Sequence, residues 1–527
     1  MNEARASRPP VLEPLGIFAL VCAAPFLTFL AENLSEGLRV GDLLGYWAGL
    51  TAAGFALYVV LAIILPVRTF RLASLIAVGG LVFLSYGDAR LFFAEVGLEA
   101  TGQRVGWFVV GGIALVLAVR WGGRLAFRQF LWVFAGLSLL PSLYVIVVHA
   151  RMLPDQGPGL PLAEAYPLKG NSIWSGVPLR TPNLYWIVTD SYPNLAELRL
   201  HYSFDNSDFV QELESRGFYV AREAYSNYSN TKLSVPTMMN MEYPFDAHET
   251  YAIAVGDGWA PKPGRTNRGT AAAVSGDNRS VGFLKQLGYR YVHFANRSFN
   301  LLRCRGIEDV CIESAGGDLS ELETNLLRRI PVDLYLEWIQ GWPEGTLPRR
   351  DPEASGTGIP ELAAVLDEAR LPEPFFLYAH LSVPHPPFLV DEYCRVGALV
   401  ASRRSFVRQM RCVNEQLLAL VDQIRRDDPS AIVLLSADHG PRMTVKPGLP
   451  LFRWDREQVR ETLGILNALH LPPECQRGLH PGLTPVNDMR IVFACLGGHD
   501  PQLLPERHFV VRGGPPDGGK IRRVTLE

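Results

Sequence analysis

The chain carries almost no net charge: 50 Lys and Arg against 53 Asp and Glu leave −3 over 527 residues. That balance excludes the basic surface of a nucleic-acid binder and the acidic run of a charged tail. No Cys-x-x-Cys pair occurs, so a zinc ribbon or knuckle is excluded too. Internal repeats and low-complexity tracts are absent, which removes solenoids and propellers. Long apolar runs are missing from everything beyond residue 151, although 48% of the residues are hydrophobic. The chain is therefore built for two solvents, and its length predicts at least two structural units.

The apolar residues gather in five stretches: Leu15–Leu30, Leu44–Val67, Leu72–Phe93, Val105–Val119 and Phe130–Val148. A helix needs roughly 20 apolar residues to cross the hydrocarbon core of a bilayer. Val105–Val119 is short and rich in glycine; the others approach or meet that length. Any one of them could be a buried core helix in water. So dense a series without amphipathic spacing predicts instead a bundle of five transmembrane helices over residues 1–150. Arginine sets the orientation. Arg5 and Arg8 precede the first stretch, Arg68 and Arg71 lie between the second and third, and Arg120, Arg124 and Arg128 precede the fifth. The loops Ala31–Gly41 and Asp88–Arg104 carry fewer basic and more acidic residues. The N-terminus is therefore expected in the cytoplasm of a cell (inner) membrane and everything beyond His149 outside, in the periplasm. The first stretch is read as a retained anchor, because further spans follow it. Residues 151–180, rich in Pro and Gly, are expected to link the bundle to an extracytoplasmic catalytic domain over 181–527.

Six cysteines fall in that outer domain. An even count fits disulfides in an oxidising compartment and fits buried free thiols equally well. With the domain outside, bridges are expected between Cys304 and Cys311, Cys394 and Cys412, and Cys475 and Cys495.

Three short apolar runs in the outer domain each deliver polar residues. Asn183–Thr189, between Pro182 and Asp190, reads as a buried strand of a parallel sheet ending in a carboxylate. Pro374–Leu381 contains His380, with His385 just beyond, and Ala431–Ser436 leads directly into Ala437-Asp438-His439-Gly440. In open α/β sheets the ligand site lies beyond the carboxyl ends of the strands. Asp190, His380, His385, Asp438 and His439 are thus expected along one edge, and oxygen and imidazole donors of that mix suit a metal ion. Singly, each has a plainer reading: a strand-end Asp caps the next helix, and His380 is an ordinary core histidine. The specificity lies in their common order.

These segments resemble the sulfatase-type branch of the alkaline phosphatase superfamily across most of residues 181–500. Pro182–Asp190 resembles that family's first motif, whose final acid binds metal, and Ser436-Ala-Asp-His-Gly440 its late metal-binding motif. Asn230-Thr-Lys-Leu-Ser-Val-Pro-Thr-Met238 is similar to the nucleophile segment of phosphoethanolamine transferases, where Thr is followed three residues on by Ser-Val-Pro. His380 and His385 keep those enzymes' histidine spacing, and His385-Pro-Pro-Phe388 resembles a substrate-site segment of lipoteichoic acid synthases. The resemblance implies an alkaline-phosphatase-like α/β domain with a central, mostly parallel sheet. It implies one divalent metal ion, zinc or manganese ahead of magnesium or calcium, held by Asp190, Thr231, Asp438 and His439. Thr231 would be the nucleophile, with His380 and His385 as further catalytic residues, and the substrate a phospholipid or envelope glycan phosphate.

The residues themselves support part of this. A hydroxyl needs a metal or a base to become a competent nucleophile. Ser229 and Asn230 are capping types and Pro236 suits a first helical turn, so a helix is expected to start just after Thr231, its positive end favouring an anion. Thr231 and Ser234 could equally do no more than cap that helix. Formylglycine sulfatases need a convertible Cys or Ser followed by x-Pro-x-Arg, whereas Thr231 is followed by Lys232-Leu-Ser-Val235. Ser191 stands where a second acid would support a second metal. His470 and His480 are the candidates for a further histidine. Phosphoryl-type transfer or hydrolysis is the leading expectation, with a sulfatase-like ester hydrolase and a non-catalytic glycan-binding membrane protein as alternatives.

Overall fold

The computed structural model describes the chain from residue 12 to 526, except 35–37, 39, 66–68, 96–97, 99, 153–161, 176–177, 179, 244–252, 255–269, 296–301, 315–325, 328, 332–333, 335–355, 387, 389, 396–401, 446–448, 450 and 513–518. It divides into two compact units: residues 1–152 with 322–347, and residues 153–321 with 348–527.

The first unit is helical: α1 Leu12–Asn33, α2 Val40–Ile64, α3 Thr69–Leu84, α4 Tyr86–Glu95, α5 Ala100–Trp121 and α6 Leu125–Met152. Among the described residues three helices are long and apolar enough to cross a membrane, at Val40–Ile64, Thr101–Trp121 and Leu125–Val147. Leu15–Ala31 and Phe70–Leu84 are apolar but shorter. The expected continuous helix Leu72–Phe93 is corrected: it breaks at Ser85 into α3 and α4. The glycine-rich stretch around Val105–Val119, expected to be the shortest, is extended at both ends into the 22 residues of α5. Apolar side chains point outward from this unit; Ile63 is 80% and Val116 63% exposed. Water would not tolerate so much continuous apolar surface.

This unit also takes in chain from beyond the expected boundary. Arg329 pairs with Asp88 at 3.1 Å, lies over the Phe29 ring at 5.0 Å, and accepts the Gly87 amide at its carbonyl oxygen at 3.0 Å. Leu326 packs with Phe29 and Leu30, and Ile330 with Phe18, Cys22 and Leu84.

The second unit is an α/β domain. Its strands are β1 Leu184–Thr189, β2 Phe218–Val220, β3 Ile253–Ala254, β4 Arg290–Ala295, β5 Val310–Glu313, β6 Phe375–Leu381, β7 Ile432–Ala437, β8 Asn467–His470, β9 His508–Arg512 and β10 Gly519–Val524. Seven form the central sheet in the order β2-β8-β7-β1-β6-β4-β5, and β3-β10-β9 form a small antiparallel sheet. In the central sheet β7, β1, β6, β4 and β5 run parallel, while β8 is antiparallel to β7 and β2 to β8. Every residue of β1, β6 and β7 is buried, because helices cover both faces and no solvent side remains to alternate with. The helix Arg403–Asp427, between β6 and β7, shows how the sequence pays into the core. Ser402 caps it, accepting from the Ser405 amide at 3.1 Å. Phe406, Met410, Val413, Leu417, Leu420, Val421 and Ile424 repeat at helical spacing and are buried. The start of the domain, expected to be linker, contributes Tyr166, Leu168 and Ile173 to the same core.

All three cysteine pairs are bridged: Cys304–Cys311, Cys394–Cys412 and Cys475–Cys495. Bridges that close loops of this size stabilise a domain by about 2–4 kcal/mol each.

Candidate active site

Three adjacent parallel strands end at one edge, and each brings polar side chains to it. β1 is followed by Asp190, β7 by Asp438 and His439, and β6 carries His380 at its last position but one. The backbone turns at once after each acid. Ser191 has a φ of 68°, a left-handed conformation that non-glycine residues adopt mainly at tight functional turns. After His439 the Gly440 amide donates to Thr462 O at 2.8 Å. A Cβ at Gly440 would lie 2.1 Å from the Glu461 carbonyl oxygen, so only glycine allows this approach.

The fourth component arrives on the helix Thr231–Asn240. Asn230 is its cap, accepting from the Leu233 amide at 3.1 Å. Pro236 lies inside the helix rather than in its first turn, because the Asn230 cap starts the helix earlier. The Thr231 hydroxyl donates to Asp438 Oδ2 at 2.6 Å and lies 3.3 Å from His439 Nε2. Ser234 neither caps the helix nor faces the acids; its hydroxyl donates to Tyr228 O at 2.8 Å in a buried position.

Asp190, Asp438 and His439, all buried, each present an atom within 4.8 Å of the others. His439 Nε2 is 3.6 Å from both Asp190 Oδ1 and Asp438 Oδ2. His439 Nδ1 donates to Gly440 O at 2.8 Å, which leaves Nε2 of the neutral ring as a lone pair facing two carboxylates. Buried lone pairs and carboxylates turned on one another are costly unless a cation lies among them. Two carboxylates, one imidazole and a nearby hydroxyl are a donor set that fits zinc or manganese. Burial would push the Asp190 carboxyl up. His385, His439 and His380, with the Ser191 hydroxyl at 2.9 Å, outweigh that and hold it below the usual carboxylate range.

The fold therefore brings Asp190, Thr231, Asp438 and His439 into one cluster, with His380 Nε2 at 3.9 Å from Asp438 Oδ2. His385 is half-buried, donates from Nδ1 to Pro386 O at 2.6 Å, and reaches the cluster through its charge on Asp190. Neither candidate for a further histidine joins. His470 donates to Ala431 O at 3.3 Å at the opposite end of β7, and His480 pairs with Glu506 at 3.0 Å.

Two neighbours escaped the sequence reading, and a third, Ser191, entered it only as the place of a missing second acid. Ser191 had a signal in its adjacency to Asp190, and Tyr378 in its position two residues before His380 on the same strand face. Arg442, two residues past Gly440, lies within reach of the Asp190 and Asp438 charges, and it ion-pairs with neither of them. A second group, His293, Cys304 and Glu308, also clusters ligand-type atoms. Cys304 is spent in its disulfide, so that group is no metal site.

Compared with known proteins, residues 332–465 match the sulfatase family model, a span holding His380, His385, Asp438 and His439 but neither Asp190 nor Thr231. No curated relative matches the sequence. Among solved structures the chain is similar to the C-terminal periplasmic domain of EptC from Escherichia coli, at 11% identity and a TM-score of 0.39, covering 66% of this chain and 92% of that one. The phosphoethanolamine transferase EptC domain from Campylobacter jejuni is similar at 13% identity and 0.34, over 60% and 89%. The phosphonate monoester hydrolase of Agrobacterium radiobacter is similar at 11% and 0.36, over 63% and 80%.

Proposed function

We propose, from the premise that the outer unit carries a sulfatase-family domain, that this chain is a membrane-anchored phosphoryl-type transferase whose nucleophile is Thr231. Such a domain belongs to hydrolases and transferases of the alkaline phosphatase superfamily. The observation that carries the nucleophile assignment is the Thr231 hydroxyl, its proton directed to Asp438 Oδ2 at 2.6 Å beside the Asp190, Asp438 and His439 cluster.

A divalent cation held by Asp190, Asp438 and His439 would lower the pKa of that hydroxyl and neutralise charge on the group attacked. The chain's own groups do the rest. Asp438 takes the Thr231 proton as the oxygen attacks phosphorus, and the capped helix start favours the anion formed there. His385, half-buried at the rim, gives the departing oxygen its proton as the phosphorus–oxygen bond breaks. Arg442, which pairs with no acid among the described residues, offers its charge to an anionic head group. In the second half His385 takes the proton of the acceptor hydroxyl, or of water if the chain acts as a hydrolase, as that oxygen attacks phosphorus; the bond from phosphorus to the Thr231 oxygen breaks, and Asp438 returns its proton to Thr231. A phospholipid head group or an envelope glycan phosphate is the substrate class.

Location follows the same logic. Five spans, a cytoplasmic N-terminus and a periplasmic domain on an inner membrane fit the arginine asymmetry and the outward apolar faces of α2, α5 and α6. Arg329 and Leu326 meet the helical unit at Phe29, Leu30 and Asp88, the side poor in arginine. An alkaline phosphatase reporter fused after Glu527 is expected to be active and a cytoplasm-dependent fluorescent reporter dark; the reverse inverts the topology.

The function is tested with the full-length protein in detergent, offered an aryl phosphodiester and an aryl sulfate side by side. Turnover of the phosphodiester alone, lost on chelation and restored by zinc or manganese, is the expected result. Preferential sulfate release would make it a sulfatase-like hydrolase.

A further inference from the structure

β6 carries Tyr378 and His380 two residues apart, so both project from one face of the sheet. The register sets Trp186 of β1 and His293 of β4 directly beside Tyr378. The Trp186 ring meets the Tyr378 ring nearly perpendicular at 6.1 Å between centroids, and the His293 ring lies 6.0 Å away on the other side. Tyr378 and His380 are each only 1% exposed. The phenol is held between neighbours with its hydroxyl 3.2 Å from His380 Nδ1, its sole hydrogen-bond partner among the described residues.

That contact has a direction. A buried hydroxyl proton needs an acceptor. Burial, with the Asp438 and Asp190 charges, pushes the Tyr378 phenol well above its ordinary value, so the proton stays on it. Donation therefore runs from Tyr378 to Nδ1, and the ring proton of His380 sits on Nε2. His380 Nε2 is buried and has no hydrogen-bond partner among the described residues. Its nearest acidic oxygen, Asp438 Oδ2, stands 3.9 Å off, beyond hydrogen-bonding distance. An N–H sealed from water at the edge of the cluster, and spent on none of the described residues, is a donor kept for an oxygen brought in from outside.

We infer that Tyr378 is a positioning residue that locks His380 as its neutral Nε2–H tautomer, making His380 a hydrogen-bond donor to an oxygen of the transferred group. His380 is then neither a metal ligand nor the general acid. A neutral imidazole that gave up its Nε2 proton would be left as an imidazolate, so the proton remains and His385 supplies the one the leaving group needs. A neutral imidazole can polarise a substrate oxygen in this way. The identity of that oxygen rests on the phosphoryl-transfer reading; the tautomer does not.

Two measurements on the full-length protein test this. With aryl phosphodiester as the probe, Tyr378→Phe is expected to lower kcat about 10- to 100-fold, up to the low end of the ~10²–10³ lost with an oxyanion donor because part of the population keeps the donating tautomer, while KM and bound metal stay as they were. In a His380→Gln background, where the carboxamide supplies an N–H that needs no tautomer, adding Tyr378→Phe is expected to change kcat no further. An equal loss in both backgrounds would make Tyr378 merely structural and overturn the inference. The second measurement is independent of turnover. Nitrogen-15 spectra of histidine-labelled protein, with His380 assigned by its absence in His380→Gln, are expected to show Nε2 protonated and Nδ1 bare, shifting to a tautomer mixture in Tyr378→Phe. A wild-type His380 protonated at Nδ1 would overturn the inference whether or not the protein is active. A protein inert toward phosphodiesters but with the expected spectrum would remove the proposed reaction and leave the role of Tyr378 standing.

Discussion

Glu197 and Glu461 are buried as deeply as Asp190 and Asp438, yet the two pairs are held in opposite ways. Glu197 Oε1 accepts from Arg460 at 2.9 and 3.0 Å and from the Tyr225 hydroxyl at 2.9 Å, while Oε2 lies 3.0 Å from His201 Nε2. Glu461 accepts from the Tyr202 hydroxyl at 2.6 Å, the Thr444 amide at 2.9 Å and the Thr444 hydroxyl. A carboxylate so fully satisfied is a pin: it fixes the helix after β1 and the loop past Gly440. Asp190 and Asp438 have no Arg or Lys partner among the described residues and face an imidazole lone pair instead. Acids satisfied by side chains hold the fold, and acids left converging have the geometry that suits a cation.

Breaking the open pair should cost function rather than fold. Thr231→Ala removes the proposed attacking oxygen but none of the carboxylates or histidines. Turnover is expected to fall by several orders of magnitude while metal remains bound, and Thr231→Ser is expected to keep measurable activity. Parallel kinetics and metal analysis check this.

The two pairs are set against each other directly by His439→Ala and Glu461→Gln. His439→Ala is expected to lose bound metal and activity with little change in metal-free stability. Glu461→Gln is expected to bind metal but to unfold more easily, by about 3 kcal/mol, since its amide faces donors in a buried network. Denaturant unfolding beside metal analysis distinguishes them. Metal loss in Glu461→Gln without destabilisation would erase the distinction.

Asp488 lies between the two patterns. One oxygen accepts from Asn467 at 3.0 Å, and the other is buried without a partner among the described residues. Burial raises its carboxyl to about 7. The folded state then holds this proton more tightly than the unfolded chain does. The stability it contributes is full below the ordinary Asp range, near 4, and is lost as pH rises through about 7. One such group gives a slope of up to roughly 1.4 kcal/mol per pH unit in that window. Asp488→Asn is expected to flatten this part of the stability–pH curve.

The smallest effect is at Ser234. Its hydroxyl satisfies the Tyr228 carbonyl and does not face the acids, so Ser234→Ala should cost roughly 1 kcal/mol and leave kcat unchanged. A dead Ser234→Ala protein beside an active Thr231→Ala protein would exchange their roles.

How much of this was legible depends on how local the signal is. A β-branched run closed by an acid is a local pattern, so β1 and β7 could be read, and Asp190, Asp438 and His439 with them; β6 shows only as a short continuous apolar run that carries His380. The satisfied pair could not be. Glu197 and Glu461 look like solvated helix acids, and the Glu197 partner Arg460 lies 263 residues away. Tyr378 passed as an ordinary strand aromatic, because only the packed sheet shows what its hydroxyl meets. The break at Ser85 and the excursion through Arg329 were hidden for a related reason: apolar runs report hydrophobicity, not where a helix stops or which unit a later segment joins.

Everything proposed for the site turns on Thr231 carrying the phosphoryl group between two substrates. The direct measurement is a rapid acid quench of metal-loaded, full-length protein turning over an aryl phosphodiester, followed by peptide mass spectrometry across Asn230–Met241. A substrate-derived phosphoryl adduct on Thr231, absent from Thr231→Ala and after chelation, is the predicted result. Sustained turnover with no adduct on Thr231, together with an active Thr231→Ala protein, would contradict it.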